Sequence, residues 1–220
     1  MNIDVKTIQI LKNFANINPS IAINEGSVIR TVSATKTILA KAAVPDTFTS
    51  KFAIYNLPRF LGALSLFEKP SLAFTTSDVV ISDGSGRTTN YSLCEESLIQ
   101  KAPEKDLKID NPDVTFTLTE NTLKEIIKAL SVLGLPDIAI VGDGQNVLIK
   151  ALDSKQVTND MFTIKIGATD KVFKAIFKAE NITKILNGQY NVTISQRGIA
   201  HFKGVDIEYW IAIEADSSFE

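Results

Sequence analysis

The chain has 220 residues, 45% of them hydrophobic and 22% charged, with a formal net charge of −2 at pH 7. The length suits one large domain or two of about 110 residues, and any nucleic-acid role must rest on local basic patches, because the bulk charge gives no attraction. The single cysteine, Cys94, excludes an internal disulfide and a cysteine-cluster metal site.

The first residues, MNIDVKTIQI, contain no basic segment followed by an apolar one. No apolar run in the chain approaches the about 18 residues that a membrane span needs. We therefore expect an intracellular protein with no membrane partner.

The chain begins with a predicted helix, Val5–Asn16, in which Lys6 and Asn13 lie on the polar side and Lys12, also there, borders the broad apolar side. The inward residues are expected to be Val5, Ile8, Ile10, Leu11, Phe14 and Ala15. Three β-branched, alternating segments that follow are predicted as strands: Ile21–Asn24, Val28–Leu39 and Phe48–Tyr55.

The segment Phe52–Phe67 runs from a short apolar strand directly into a second helix. Asn56 can cap this helix, and Pro58 fits its first turn, where its missing N–H costs nothing. Arg59 is the one cation on the outward side, which is otherwise nearly smooth and suits close approach to something large. The inward side is formed by Leu57, Phe60, Leu61, Leu64 and Phe67.

A meander is predicted next, over Leu72–Thr76, Val79–Ser82 and Thr88–Leu93. The following segment, Glu95–Pro112, has two prolines, many charges and weak periodicity. We interpret it as a linker between two domains, residues 1–110 and 111–220.

The order of elements then repeats. Thr119 is predicted to cap the clearest helix of the chain, Glu120–Gly134, on whose polar face Lys124 and Lys128 lie one turn apart. A short helix, roughly Glu180–Asn187, follows, with Asn181 and Lys184 outward. The predicted strands around these helices are Val114–Leu118, Ile138–Val141, Val147–Leu152, Phe162–Ile166, Val172–Lys178, Tyr190–Ser195, Ala200–Phe202 and Ile207–Ala215.

Both halves thus run helix, strands, short helix, strands, which indicates an internal duplication of structure with little residue identity. Two helices among antiparallel strands in each half predict an α+β fold with the helices on one sheet face.

Three segments resemble the DNA polymerase sliding clamps of T-even-type bacteriophages: LKNFANIN (Leu11–Asn18), AIYNLPRFLGALSLF (Ala53–Phe67) and AIEADSSF (Ala212–Phe219). The resemblance implies the DNA-clamp fold and a head-to-tail homotrimer whose helices line a hole for duplex DNA. It also implies a polymerase tether, opened and closed on DNA by an ATP-driven clamp loader, in the cytoplasm of an infected bacterial host. Some phage relatives also serve late transcription.

Ring geometry agrees with this stoichiometry. A domain of about 110 residues is roughly 34 Å across, and a ring with a hole of about 35 Å then needs about six domains. Three two-domain chains supply six. By analogy with clamps, Thr88–Leu93 of one subunit would pair with Phe162–Ile166 of the next.

The resemblance turns the outward cations of the helices into candidate DNA contacts, since long lysine stems attract phosphates without reading sequence. Taken without it, the same cations are ordinary solvated helix faces. Lys12 borders the apolar side and Lys178 precedes its helix, so these two are the weakest members. The candidates are Lys6, Lys12, Arg59, Lys124, Lys128, Lys178 and Lys184.

Signals for an enzyme are poor. His201 is the only histidine and lies in a strand pattern, so neither a catalytic triad nor a histidine metal site can be assembled in the usual way. We predict no catalytic residue, no metal and no cofactor. The rival to a clamp is a β-rich structural or assembly ring protein that does not enclose DNA.

Trp210 carries a separate hypothesis. It lies on the strand face opposite Tyr209 and Ile211. It is either an exposed anchor for a partner peptide or a side chain that packs under the linker.

Overall fold

The structure, a computed structural model, describes residues 1–156 and 160–220. The chain forms two compact units, Met1–Asp106 and Leu107–Glu220. Within the described part, no helix is long and apolar enough to cross a membrane.

The first unit contains two helices and seven strands. Helices α1 and α2 pack against each other, α1 also contacts β3, and α2 contacts β7. All strand pairs are antiparallel: β1 with β4, β2 with β3, and β5-β6-β7 in that order. The elements are α1 (Val5–Ala15), β1 (Ile21–Ile23), β2 (Gly26–Val32), β3 (Ile38–Phe48), β4 (Phe52–Ile54), α2 (Leu57–Leu64), β5 (Ser71–Phe74), β6 (Asp78–Ser82) and β7 (Thr88–Ser92).

The predicted start of α2 is confirmed. The Asn56 side chain accepts a hydrogen bond from the backbone N–H of Arg59 at 2.9 Å, and Pro58 occupies the first turn. Such a cap stabilises a helix by about 1 kcal/mol. The predicted inward side is buried as well: Leu57, Phe60, Leu61, Leu64 and Phe67 are each at most 8% exposed.

The single strand predicted over Val28–Leu39 is wrong. The chain turns back between β2 and β3, because the Ser33 hydroxyl accepts from the N–H groups of Thr37 (3.0 Å) and Ile38 (3.1 Å). Lys36 takes the left-handed conformation with φ 59°. The turn contains no glycine, proline or asparagine, and its compositional signal is limited to the cluster of Ser33, Thr35 and Thr37.

The inward side of α1 is also corrected. Val5 is 69% exposed, whereas Asn13, expected on the polar side, is 6% exposed. The buried stripe runs through Thr7, Ile10 and Phe14, spaced by three and four residues. Val5 lies two residues before Thr7, about 200° away around the helix axis.

The second unit contains two helices and nine strands among its described residues. Five antiparallel strands lie in the order β11-β10-β9-β12-β16, and four others in the order β8-β13-β14-β15. Helix α3 packs on β10 and β11, and α4 packs on β12. The elements are β8 (Val114–Leu118), α3 (Glu120–Leu133), β9 (Asp137–Asp143), β10 (Asn146–Leu152), β11 (Phe162–Ala168), β12 (Val172–Lys178), α4 (Ala179–Ile182), β13 (Tyr190–Ser195), β14 (Ile199–Lys203), β15 (Ile207–Ala212) and β16 (Ser218–Phe219).

Helix α3 follows its prediction closely. The Thr119 hydroxyl accepts from the N–H of Thr122, and Gly134 ends the helix in the left-handed conformation with φ 64°. Leu123 and Ile126 are fully buried, and the burial of each such side chain stabilises the fold by about 1.5–3 kcal/mol. Leu133, the last residue of the helix, is 39% exposed despite its apolar side chain.

Helix α4 is shorter than predicted. It ends at Ile182, and the N–H groups of Lys184 and Ile185 then bond the third residue before each, which forms tight turns instead of an α-helix. Asn181, predicted outward, is 4% exposed. The segment predicted as a linker contains one described 3-10 turn, Glu96–Leu98, and the bridge Ala53–Cys94 precedes it.

Candidate nucleic-acid interface

In the first unit, the three candidate cations lie on the two packed helices. Lys6 and Lys12 are exposed on α1, and Arg59 is exposed on α2. At about 100° per residue, Lys6 and Lys12 point in directions about 120° apart, so they flank the helix instead of forming one row. Burial raises the pKa of Tyr91 on β7, and the charge of Arg59 opposes this rise.

In the second unit, Lys124 and Lys128 are exposed on α3, on the side away from its buried leucine and isoleucine residues. Four residues turn a helix by about 40°, so the two ammonium groups form one row. Lys124 pairs with Glu120 one turn earlier, and both side chains are about half exposed. Such solvated helix pairs contribute at most about 0.5 kcal/mol, so the pair does little to fix Lys124 in place.

The structure separates the last two candidates. Lys184 lies just beyond α4, which packs with α3, and it is half-buried. Lys178 instead lies at the start of α4, where its ammonium contacts the Asp137 carboxylate at 2.8 Å and Glu214 at 3.7 Å. Lys178 is therefore committed to an ion pair inside its own unit, which argues against a DNA contact.

Asp137 is the buried partner of that ion pair, and only 1% of its side chain is exposed. Burial opposes its ionisation, but Lys178 and two hydrogen bonds from Ser154 outweigh this and hold the pKa of Asp137 below its usual value. The bond to Asp137 in turn raises the pKa of Lys178. The pair ties β9, β12 and the segment after β10 together.

Trp210 is not an exposed anchor. It is 2% exposed, and its indole N–H donates to the backbone oxygen of Leu107 at 2.8 Å. Its ring stacks on His201, with centroids 4.5 Å apart, and His201 contacts Glu208 at 2.8 Å. The structure therefore shows the alternative in which Trp210 packs under the linker, because that segment supplies an acceptor for the indole N–H.

Strands β7 and β11 are among the strands that end their sheets with one side unpaired. In the first unit, β7 pairs only with β6 among the described strands, and in the second unit β11 pairs only with β10. Side chains on both strands are exposed or half-buried. A strand edge of this kind presents N–H and C=O groups that another chain can pair with.

Sequence reasoning missed two ionic clusters, one in each unit. Asp137 follows Pro136 at the start of an apolar strand, and an acidic residue at the head of such a strand was the one available signal. In the first unit, Arg30 and Lys41 both contact Asp106, at 2.7 Å each. Arg30 and Asp106 are 76 positions apart in the chain, so no local pattern could reveal the contact. No group of three or more His, Cys, Asp or Glu side chains placed to hold a metal occurs in residues 1–156 and 160–220.

Solved structures of clamps share this fold. The PCNA2–PCNA3 complex from Sulfolobus tokodaii matches 98% of this chain and 100% of its own, with a TM-score of 0.71 and 13% identity. PCNA from Thermococcus kodakaraensis matches 97% of this chain and 99% of its own, with a TM-score of 0.69 and 13% identity. The chain therefore has the DNA-clamp fold that the resemblance implied, which is the α+β class of antiparallel sheets and helices.

Sequence comparison goes further than fold. The family model for the DNA polymerase processivity factor matches residues 4–99, and the model for the gp45 sliding clamp, C terminal, matches residues 115–215. The sliding clamp of Vibrio phage KVP40 is 33% identical over 98% of this chain and 100% of its own length. The sliding clamp of Enterobacteria phage T4 is 27% identical over the full length of both. The chain belongs to the sliding-clamp family and is a DNA polymerase processivity factor.

The ion pair of Asp137 and Lys178 gives a prediction about stability. Asp137→Asn should lower the free energy of unfolding by about 1–3 kcal/mol at pH 7, because it leaves Lys178 with only the more distant carboxylate of Glu214, at 3.7 Å. A lowered pKa of Asp137 contributes stability that is present above about pH 4 and is lost as the pH falls through the folded value. In urea unfolding, the difference in free energy of unfolding between the variant and the parent protein should therefore become smaller as the pH falls from 4 to 2.

The control is Glu120→Gln, which removes the exposed pair with Lys124 and should cost less than about 0.5 kcal/mol. If the two substitutions cost the same, or if the Asp137→Asn deficit persists unchanged at pH 2, the ion pair does not stabilise the second unit.

Proposed function

We propose that three copies of this chain close head to tail into a ring around duplex DNA, which tethers the replicative polymerase to its template. A clamp-loader ATPase opens and closes the ring on DNA in the cytoplasm of the infected bacterial host. The two compact units act as the two domains of the clamp, with the division near residue 110. The observation that carries the proposal is the pair of unlike free sheet edges on a chain of this family.

The edges support a head-to-tail contact because they belong to different units. When β7 (Thr88–Ser92) of one subunit pairs with β11 (Phe162–Ala168) of the next, each sheet continues across the boundary. Such a contact between unlike surfaces closes into a ring when the rotation between subunits permits it. A closed ring leaves neither edge exposed to aggregation.

The helices supply the surface that faces DNA. Lys6 and Arg59 in the first unit, with Lys124 and Lys128 in the second, are exposed on helices whose apolar sides are buried. Lys12 and Lys184 contribute from less favourable positions, and Lys178 forms an ion pair with Asp137 instead. Flexible ammonium groups attract phosphates of any sequence, so the ring can slide. Support for late transcription would use the same ring.

The ring is tested through its topology. Loaded on nicked circular DNA by the clamp loader and ATP, the protein should remain bound in gel filtration. It should dissociate once a restriction enzyme linearises the DNA, because a ring slides off free ends. Retention on linear DNA, or no loader-dependent retention on circles, would favour the rival ring protein that does not enclose DNA.

Subunit pairing is tested by blocking one edge at a time. Proline in an edge strand removes a backbone N–H, and successive residues point their N–H groups to opposite sides. In β7, either Thr89→Pro or Asn90→Pro therefore removes an N–H from the outer edge and leaves the pairing with β6 intact. In β11, either Ile164→Pro or Lys165→Pro does the same and leaves the pairing with β10 intact. The parent should sediment as a trimer at micromolar concentration, and each blocked variant as a monomer.

Mixing the two blocked variants decides between models. A head-to-tail contact leaves one intact surface on each variant, so the mixture should form a one-to-one dimer that cannot grow. No dimer in the mixture, or trimers from either variant alone, would show that these edges do not join the subunits. Circular dichroism identifies the proline variants that keep their fold.

The helix lysines separate DNA binding from assembly. Lys124→Glu with Lys128→Glu should sharply reduce loading and processive synthesis, because repulsion replaces attraction for phosphates, most strongly at low salt. Sedimentation as a trimer should be unchanged, since solvated substitutions usually stay within about 0.5 kcal/mol each. Lys69→Glu with Lys105→Glu, two exposed positions off the helices, is the control of equal charge change. If both double substitutions reduced loading and processive synthesis equally, α3 would not be part of the DNA-facing surface.

A further inference from the structure

The chain contains one Asn-Gly pair, Asn187-Gly188, in the segment between α4 and β13. The asparagine is exposed and lies in a bend, outside any helix or strand. Among the described residues, neither the Asn187 side chain nor the backbone N–H of Gly188 makes a hydrogen bond. A reaction between these two neighbouring groups therefore requires no protein hydrogen bond to be broken.

The backbone does not require glycine at position 188. Its φ lies outside the left-handed region, in contrast to that of Gly134, which ends α3. A Cβ at this position would lie 3.7 Å from the Tyr190 hydroxyl and 3.8 Å from its ring carbons, which are ordinary van der Waals distances. What glycine provides here is a backbone nitrogen that no side chain screens. In deamidation this nitrogen is the group that attacks the preceding asparagine.

Two buried tyrosines fix the ends of this segment. The N–H of Leu186 donates to the Tyr209 hydroxyl at 3.2 Å, and the Tyr190 hydroxyl donates to the Leu186 oxygen at 2.6 Å. Both tyrosines are at most 1% exposed. Only residues 187–189 lie between the anchored positions. The bend is thus held next to the end of α4, three residues after Lys184.

We propose that Asn187 is a self-deamidation site whose product lowers the attraction between the second unit and DNA. The backbone nitrogen of Gly188 attacks Cγ of Asn187, and the new C–N bond closes a succinimide ring. The side-chain NH2 leaves as ammonia, with the proton that the backbone nitrogen has lost. Water then adds to either ring carbonyl and opens the ring, which gives aspartate or isoaspartate. The only co-reactant is water.

The reaction changes the charge beside the helices of the second unit. Either product carries a carboxylate that is ionised at pH 7, where the parent chain carries a neutral amide. Three residues span at most about 11 Å, so the new charge lies about one Debye length from Lys184 at 0.1 M salt. Helix α4 packs with α3, which carries Lys124 and Lys128. The added negative charge therefore opposes the attraction of phosphates to these cations.

The effect on DNA rests on the DNA-facing surface of the proposed function, whereas the deamidation itself does not. The two parts are therefore measured separately, one by the mass of the chain and the other by its affinity for duplex DNA.

Deamidation is measured by mass spectrometry on the native chain, incubated at neutral and at mildly alkaline pH and then digested with trypsin. The peptide of residues 185–197 should gain the mass difference between NH2 and OH at Asn187, and faster at the higher pH. Asn191 in the same peptide lies in β13 and is the internal control. Asn121 is the control for exposure, because it is exposed on α3 but the N–H that follows it, of Thr122, donates to Thr119 at 3.2 Å.

Gly188→Ala should slow the reaction about tenfold, or about 1.4 kcal/mol in the activation barrier, because the methyl group hinders the attacking nitrogen. Circular dichroism should show an unchanged fold, since the space beside Tyr190 admits a Cβ. If Asn187 reacts no faster than Asn121 and Asn191, or if Gly188→Ala reacts as fast as the parent, the site is overturned. Should Gly188→Ala not fold, the comparison of the three asparagines in the parent chain alone decides.

The charge effect is measured with Asn187→Asp, which carries the product's carboxylate from the start. Its affinity for a short fluorescein-labelled duplex, measured by anisotropy at low salt, should fall a few-fold below that of the parent, and the difference should shrink as salt is added. The matched control is Gln145→Glu, an equal charge change at an exposed position after β9. The seven residues of β12 separate that end of the sheet from α4, a distance of about 20 Å. Gln145→Glu should leave the affinity unchanged.

The outcomes separate this inference from the proposed function. Equal weakening by Asn187→Asp and Gln145→Glu would overturn the charge effect. So would an unchanged affinity of Asn187→Asp when Lys124→Glu with Lys128→Glu weakens binding. If the double lysine substitution has no effect either, the proposed DNA-facing surface and the charge effect both fail, whereas the deamidation stands or falls on the mass spectra.

Discussion

The arrangement of this clamp depends on one packing constraint, namely that each helix must bury its apolar side on an antiparallel sheet. Leu123 and Ile126 are fully buried beneath α3, which packs on β10 and β11. Because the side chains of a helix keep fixed angles around its axis, this burial also determines where Lys124 and Lys128 point. The outward orientation of these cations thus follows from the burial of the apolar side of the helix.

A second constraint comes from the sheets. An antiparallel sheet that does not close on itself has two edges, and its unpaired backbone groups must meet water, a covering segment or another chain. In this chain β7 and β11 expose theirs, and they are unlike in sequence and belong to different units. That asymmetry favours a head-to-tail assembly over a two-fold one.

The two ionic clusters illustrate different uses of a buried charge. Asp137 receives bonds from Lys178 and from Ser154, so its carboxylate is well satisfied and holds β9 and β12 together. Arg30 has a single acceptor for two nitrogens. A satisfied buried group favours one conformation, whereas an unsatisfied one favours any change that supplies a partner.

Local signals in the sequence determined the elements. The Thr119 cap and the Gly134 end delimit α3, the Asn56 cap begins α2, and the bounds of β12 agree residue for residue. Together with the three resembling segments, these signals also determined the family. Such features depend on neighbours within about four residues, which periodicity and capping describe directly.

Only the tertiary structure decided which side chains meet. Trp210 bonds a carbonyl 103 residues away, Arg30 a carboxylate 76 residues away, and Lys178 one 41 residues away. These contacts turned a candidate anchor into a buried side chain and paired a candidate DNA contact, Lys178, with a carboxylate of its own unit. The physical reason is that a charged or aromatic side chain takes whatever partner the fold brings within about 3 Å, and a single sequence does not encode that distance.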